Sequence, residues 1–142
     1  MEDNIANTLA TLEIDGFKKR NVLEYNYSFN QSTDKDNQPA GIPRGGKLTL
    51  KLDACTDKGN IELLTWLIER NKKEVKITVK KPSAPTEDLK ILIFKDAFCV
   101  DYKEVWKDMR DSKGDSANTE DIVVTWREFH VDKKGIFINE WS

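Results

Sequence analysis

Cysteine and histidine are nearly absent from this chain, and their scarcity removes whole classes of chemistry. The two cysteines, Cys55 and Cys99, are too few and too far apart for a disulfide framework or a tetrahedral zinc site. They read as reduced thiols of a protein assembled in the cytoplasm. The only histidine, His130, sits between Phe129 and Val131 with no partner at ligand spacing. Neither a metal centre nor a histidine-based nucleophile relay is expected from it. Gly-x-Ser-x-Gly elbows, phosphate loops and dinucleotide-binding glycine patterns are missing, and Arg44-Gly45-Gly46 lacks the Lys-Ser/Thr that phosphate cradling needs. No cofactor is expected. The stretch Met1 to Ala10 has no apolar region of the secretory-signal kind, and no run approaches membrane-spanning length. Charge imbalance is missing as well. With 23 basic and 25 acidic residues, the formal charge is −2, which disfavours nucleic acid or an anionic membrane as the main partner.

Charge itself is abundant, at 34% of the 142 residues, so a single domain over 1–142 must keep a large wetted surface. Residues 1–7 read as an N-terminal extension. Carboxylates are so numerous (Asp34, Asp36, Asp53, Asp57, Asp96, Asp101, Glu104, Asp121 and Glu128 among them) that no pair stands out as a catalytic dyad. The chain is not expected to be an enzyme. The acidic stretch Asp108 to Asp121 lacks the ligand rhythm of a calcium-binding loop. Trp66, Trp106, Trp126 and Trp141 suit core and interface anchors better than a stacking platform.

Two clean alternations frame the most informative segment. Leu23, Tyr25, Tyr27 and Phe29 share one parity, and Leu48, Leu50 and Leu52 share another, each set interleaved with polar residues. A period of two marks strands with one wet face. The connection between them, Gln31 to Gly46, is about 16 residues, far beyond a hairpin loop. It carries Asp34, Asp36, Asn37, Pro39, Gly41 and Pro43 as turn and breaker residues. Further strands are expected at Thr8–Asp15, Val75–Val79, Leu89–Phe94, Phe98–Tyr102, Ile122–Val131 and from Ile136. A break is expected at Lys81–Pro85, and a turn or bulge at Lys95-Asp96. Only one segment has helical spacing, roughly 60–70, where Ile61, Leu64, Leu67 and Ile68 form a stripe that Leu63 and Trp66 widen. Asn60 suits its N-cap. About eight strands and one helix suggest a barrel or a sandwich, mainly β.

Ile91-Leu92-Ile93-Phe94, Ile122-Val123-Val124 and Ile136-Phe137-Ile138 are apolar on both parities. An antiparallel strand with one wet face should not be. Their second face is covered either by the helix and loops or by a neighbouring subunit.

Five segments in order carry a family resemblance. They are Tyr27 to Asp34 with Pro39, then Arg44-Gly45-Gly46 and the strand after it, Leu64 to Leu67 around Trp66, Phe94 to Glu104, and Asn139-Glu140-Trp141. From Leu12 to Trp141 the chain resembles the haemolysin-coregulated protein family, the tube protein of type VI secretion (TssD), in its Bacteroidetes form. The resemblance implies a small antiparallel β-barrel with one flanking helix, forming a homo-hexameric ring. Rings of this kind stack into a hollow tube inside a contractile sheath, with spike and baseplate proteins as further partners. Sheath contraction expels the tube, and effector proteins travel in its lumen. The protein would assemble in the cytoplasm and be secreted without a signal peptide. Gln31, Asp34, Gln38, Pro39, Arg44, Gly45 and Gly46 would form the ring-stacking loop. Leu92, Phe94, Val123, Phe137 and Trp141 are the candidate subunit-interface residues. The alternative is a monomeric ligand-binding β-barrel, which would need an apolar cavity inside.

Overall fold

The computed structural model describes residues 9–30, 34–38, 44–53, 61–108, 117–132 and 134–138. Ten strands and one helix occur among them. In chain order they are β1 (Ala10–Ile14), β2 (Arg20–Asn26), β3 (Phe29–Asn30), β4 (Arg44–Gly45) and β5 (Leu48–Asp53). Helix α1 (Glu62–Glu69) follows, then β6 (Lys73–Lys81), β7 (Ala84–Lys107), β8 (Ala117–Thr125), β9 (Glu128–Val131) and β10 (Lys134–Ile138). Neighbours run β10-β9-β7-β6-β1-β2-β5-β8, and β8 also pairs with β7, so six of these strands close into an antiparallel barrel. Strands β9 and β10 extend it as a flap beside β7.

One strand makes this closure possible. Two strands are expected at Leu89–Phe94 and Phe98–Tyr102, parted by a turn or bulge at Lys95-Asp96. Instead β7 runs unbroken for 24 residues. Asp96 takes a positive φ of 54° inside it, which kinks the strand without ending it, as a bulge residue does. Before the kink β7 pairs with β6, and after it with β8. The proline-bearing break at Lys81–Pro85 is likewise only a tight turn, because Lys81 already pairs with Ala84. The expected strand Ile122–Val131 is in fact two, parted at Trp126-Arg127, where the Arg127 N–H reaches Lys95 O at 3.0 Å.

The barrel is filled. Leu12, Leu48, Leu50, Leu52, Val75, Ile77, Leu92, Phe94, Ile122 and Val124 are fully buried, with Trp66 and Trp126 at 1% exposure. At one end Tyr27, Phe29, Phe94, Trp126 and Phe129 pack as an aromatic cluster with ring centroids 5.0–6.3 Å apart. Helix α1 covers the other. Its buried residues are Leu63 and Trp66, and Trp66 meets Phe17 edge-on at 6.2 Å. The stripe picked out by periodicity is mostly the wrong one: Ile61, Leu64 and Ile68 are exposed, and only Leu67 packs on the core. The N-cap position falls on Ile61, which offers no side-chain cap, rather than on the expected Asn60, which lies outside the described residues. Arg70 ends the helix in the left-handed region, its N–H donating to Trp66 O at 3.1 Å.

A buried polar cluster joins β2, β5, β7 and β8. Arg20 and Glu120 are 4% and 2% exposed and form an ion pair across the barrel end. Arg20 Nη2 also donates to Asp53 O at 2.7 Å, and the Tyr102 hydroxyl donates to Glu120 Oε2 at 2.5 Å. Burial, and then the hydrogen bond to Glu120, push the Tyr102 hydroxyl well above the ordinary tyrosine range.

Candidate assembly surfaces

Two parts of the expected ring-stacking loop, Gln31 to Gly46, are described: a two-stranded base and a turn. At its base Phe29 pairs with Gly45 and Asn30 with Arg44. At its tip Asp34 organises a turn. Its Oδ1 accepts the N–H groups of Asp36 and Gln38 at 2.8 and 3.0 Å, and its backbone bonds to Asn37 and Gln38. Asn37 takes φ 65°, which asparagine tolerates better than most residues. Gln31 and Pro39 lie outside the described residues, so the structure does not join tip to base.

Of the two glycines, Gly46 has the visible constraint. Its N–H donates to Ser28 O at 2.7 Å, and a Cβ there would stand 2.8 Å from that same oxygen. Only glycine permits this close approach. Gly46→Val is therefore expected to unseat the loop base and cost about 2–3 kcal/mol, in the range of overpacking, measured by urea denaturation. A loss below about 0.5 kcal/mol, the level of an indifferent surface change, would show that the backbone yields freely.

Two of the expected interface residues are in the core. Leu92 pairs with Ile77 and Phe94 with Val75, and all four side chains are fully buried inside the barrel. They cannot touch another subunit. The residues of β7 that face outward are their neighbours Ile91 and Ile93, both half-buried. Both parities are apolar here, and the two residues expected at the interface, Leu92 and Phe94, belong to the inward one. Val123 does face outward, half-buried, between Thr49 and Asp101 on the adjacent strands. Phe137 is placed by its backbone opposite Phe129 in β10, and Trp141 lies outside the described residues.

Strands β2, β5, β8 and the C-terminal half of β7 form a four-stranded antiparallel sheet whose outer face is mostly polar, with Val105 and Val123 as its apolar members. One row across it alternates in sign: Glu24 is opposite Lys51, Lys51 opposite Asp121, and Asp121 opposite Lys103. Opposite charges directly across a ladder support the pairing. This sheet also has two free edges. Strand β1 pairs with β2 only at Thr11–Asn21 and Leu12–Arg20. Beyond Asn21, among the described residues, β2 has a strand partner on its β5 side alone. Strand β6 leaves β7 at Ala97, and from Phe98 onward, among the described residues, β7 pairs with β8 alone.

Little here suits chemistry. Among the described residues no group of three His, Cys, Asp or Glu side chains is placed to hold a metal ion. His130 Nε2 lies 3.2 Å from Glu128 Oε1 on the same strand. Cys99 is buried, and that burial pushes its thiol up to about 11, which leaves it a poor nucleophile at neutral pH. No helix among the described residues is long and apolar enough to cross a membrane.

The comparison that decides the family is a match over residues 6–142 to the model of "Hemolysin coregulated protein Hcp (TssD)". The chain belongs to that family, the type VI secretion tube proteins. Its fold is similar to that of Hcp1 from Flavobacterium johnsoniae, with 25% identity and a TM-score of 0.74 over 91% of this chain and 98% of that one. The secreted protein Hcp3 from Pseudomonas aeruginosa gives 16% identity and a TM-score of 0.62 over 94% and 99%. Hcp1 from Salmonella typhimurium gives 12% and 0.65 over 86% and 83%. No protein of curated function matches the sequence. The Flavobacterium relative agrees with the Bacteroidetes character of this TssD chain, and the small barrel with one helix is the fold of the TssD structures it resembles.

Proposed function

We propose that this TssD chain is a structural subunit of the type VI inner tube, assembling as a hexameric ring whose copies stack into a hollow tube. The observation that carries the reading is the four-stranded sheet with a mostly polar outer face and two unlike free edges, β2 and the C-terminal half of β7. Two different edges on one subunit favour head-to-tail contact, and head-to-tail contact that closes makes a ring. The wet face of that sheet then lines a lumen through which effector proteins pass. The loop from Gln31 to Gly46 reaches the neighbouring ring, with Arg44 as its multidentate donor. Outward Ile91 and Ile93 bury further surface against neighbours, whereas Val123 lies on the lumen side of the sheet, between Thr49 and Asp101. Assembly takes place in the cytoplasm, sheath contraction expels the tube, and spike and baseplate proteins meet its ends. The role is structural rather than catalytic. The filled core argues against a monomeric ligand-binding barrel, which would need an apolar cavity.

Light scattering after size exclusion tests the ring. At micromolar concentration the expected mass is six times the 16.4 kDa of one chain, and negative-stain images should show annuli. A monomer at all concentrations would sink the proposal. In a strain lacking the sheath, the protein should vanish from the culture supernatant. Its presence there at wild-type level without lysis would rule out the export route.

A further inference from the structure

Trp106 is the one large aromatic among the described residues that the subunit leaves in the open, 59% exposed near the end of the free β7 edge. At the other free edge lies an apolar groove of about 500 Å³, opened where β1 and β2 part. Leu9, Ala10, Val22, Leu23 and Tyr25 line it, with Leu9 44% and Leu23 48% exposed. Trp106 has the same parity along β7 as Tyr102, whose side chain points to the barrel side, so it projects from the side of the sheet opposite the charged row.

Resting on the ring reading, the geometry points to a specific junction: Trp106 of one copy fills the β1–β2 groove of the next, in a register set by Lys103 beside Glu24. Two independent features lead to this pairing. Strand directions alternate through β2, β5, β8 and β7, so the β7 edge of one copy meets the β2 edge of the next in antiparallel sense. The charged row begins at β2 with Glu24 and ends at β7 with Lys103, so only this head-to-tail contact continues its alternation of sign. In that register Asp101 falls beside Asn26, and Trp106 arrives within about a residue of Asn21, where β1 and β2 diverge. A buried tryptophan in a pocket flanked by a charged pair is the anatomy of an interface hot spot.

The test is association measured by light scattering and sedimentation over a concentration series. Trp106→Ala is expected to weaken association about 30-fold, the effect of a hot-spot truncation, while Trp106→Phe keeps most of it. Lys103→Glu and Glu24→Lys should each weaken association, and the two together should restore it to within a few-fold of wild type. Wild-type rings that are indifferent to Trp106→Ala, or a double reversal no better than either single one, would overturn this junction and leave the ring reading standing. A wild-type chain monomeric throughout would overturn both. Circular dichroism checks that each variant folds. Should Trp106→Ala fail that check, Asn26→Cys with Asp101→Cys, which the same register sets side by side with Trp106 intact, in a background of Cys55→Ser and Cys99→Ala, decides the matter. Oxidation is expected to link copies into a ladder of multimers on a denaturing gel, and monomer alone would overturn the junction.

Discussion

Glu120→Ala is expected to cost about 3–5 kcal/mol of stability, the range for removing one partner of a buried ion pair. The carboxylate is 2% exposed, and Arg20, its partner, is 4% exposed. Without Glu120 the guanidinium keeps, among the described residues, its bond to Asp53 O, and the Tyr102 hydroxyl loses its acceptor. The instructive control is to remove both charges. Arg20→Met with Glu120→Leu is expected to recover most of the loss, because replacing a buried pair with apolar groups of similar size is often neutral or better. Tyr102→Phe should cost only about 1–2 kcal/mol, the value of a hydrogen bond to a charged group. Urea denaturation of the four proteins checks the ordering. A single-residue loss under about 1 kcal/mol, typical of exposed pairs, would mean that water reaches the cluster.

Phe94→Ala should be comparably damaging, about 3–5 kcal/mol, as for other large aromatic truncations in a core. Phe94 is fully buried and packs against Tyr27, Trp126 and Phe129 at 5.8, 5.6 and 5.0 Å between ring centroids. The experiment separates two roles for the residue. A core residue lowers the denaturation midpoint of the isolated subunit. An interface residue would leave that midpoint unchanged and weaken association alone. The first result is expected, with Ile93→Ala, on the outward face of the same strand, showing the smaller effect on subunit stability.

Much of the architecture was legible because alternation is a backbone rule. Leu48, Leu50 and Leu52 point inward as their parity demands, and so do Leu12 and Ile14. The limits are equally physical. Alternation shows that a strand has two faces, and when both are apolar, as at Ile91 to Phe94, it does not show which face is inside. Only pairing with Val75 and Ile77 on β6 decides that. The helix shows the same limit at a period of 3.6. Ile61, Leu64, Leu67 and Ile68 form a sound stripe on paper, yet the barrel end accepts the side that carries Leu63 and Trp66. The continuity of β7 was hidden by Asp96, a turn-prone residue that here supplies a kink. The buried Arg20 and Glu120 had no local signal at all, being 100 residues apart and meeting only through the sheet. The free edges were invisible for the same reason, since an edge is a property of neighbours rather than of a strand's own sequence.

The row Glu24, Lys51, Asp121, Lys103 has one more consequence. A wall on which each charge sits beside its opposite is nearly neutral a short distance away, because the fields of adjacent opposite charges cancel and salt screens the remainder within about 8–10 Å. Such a wall offers good wetting without a preferred sign. In the proposed conduit, an acidic or a basic polypeptide would slide past it with similar ease, and any cargo held firmly would have to be gripped by shape or by contacts outside this row.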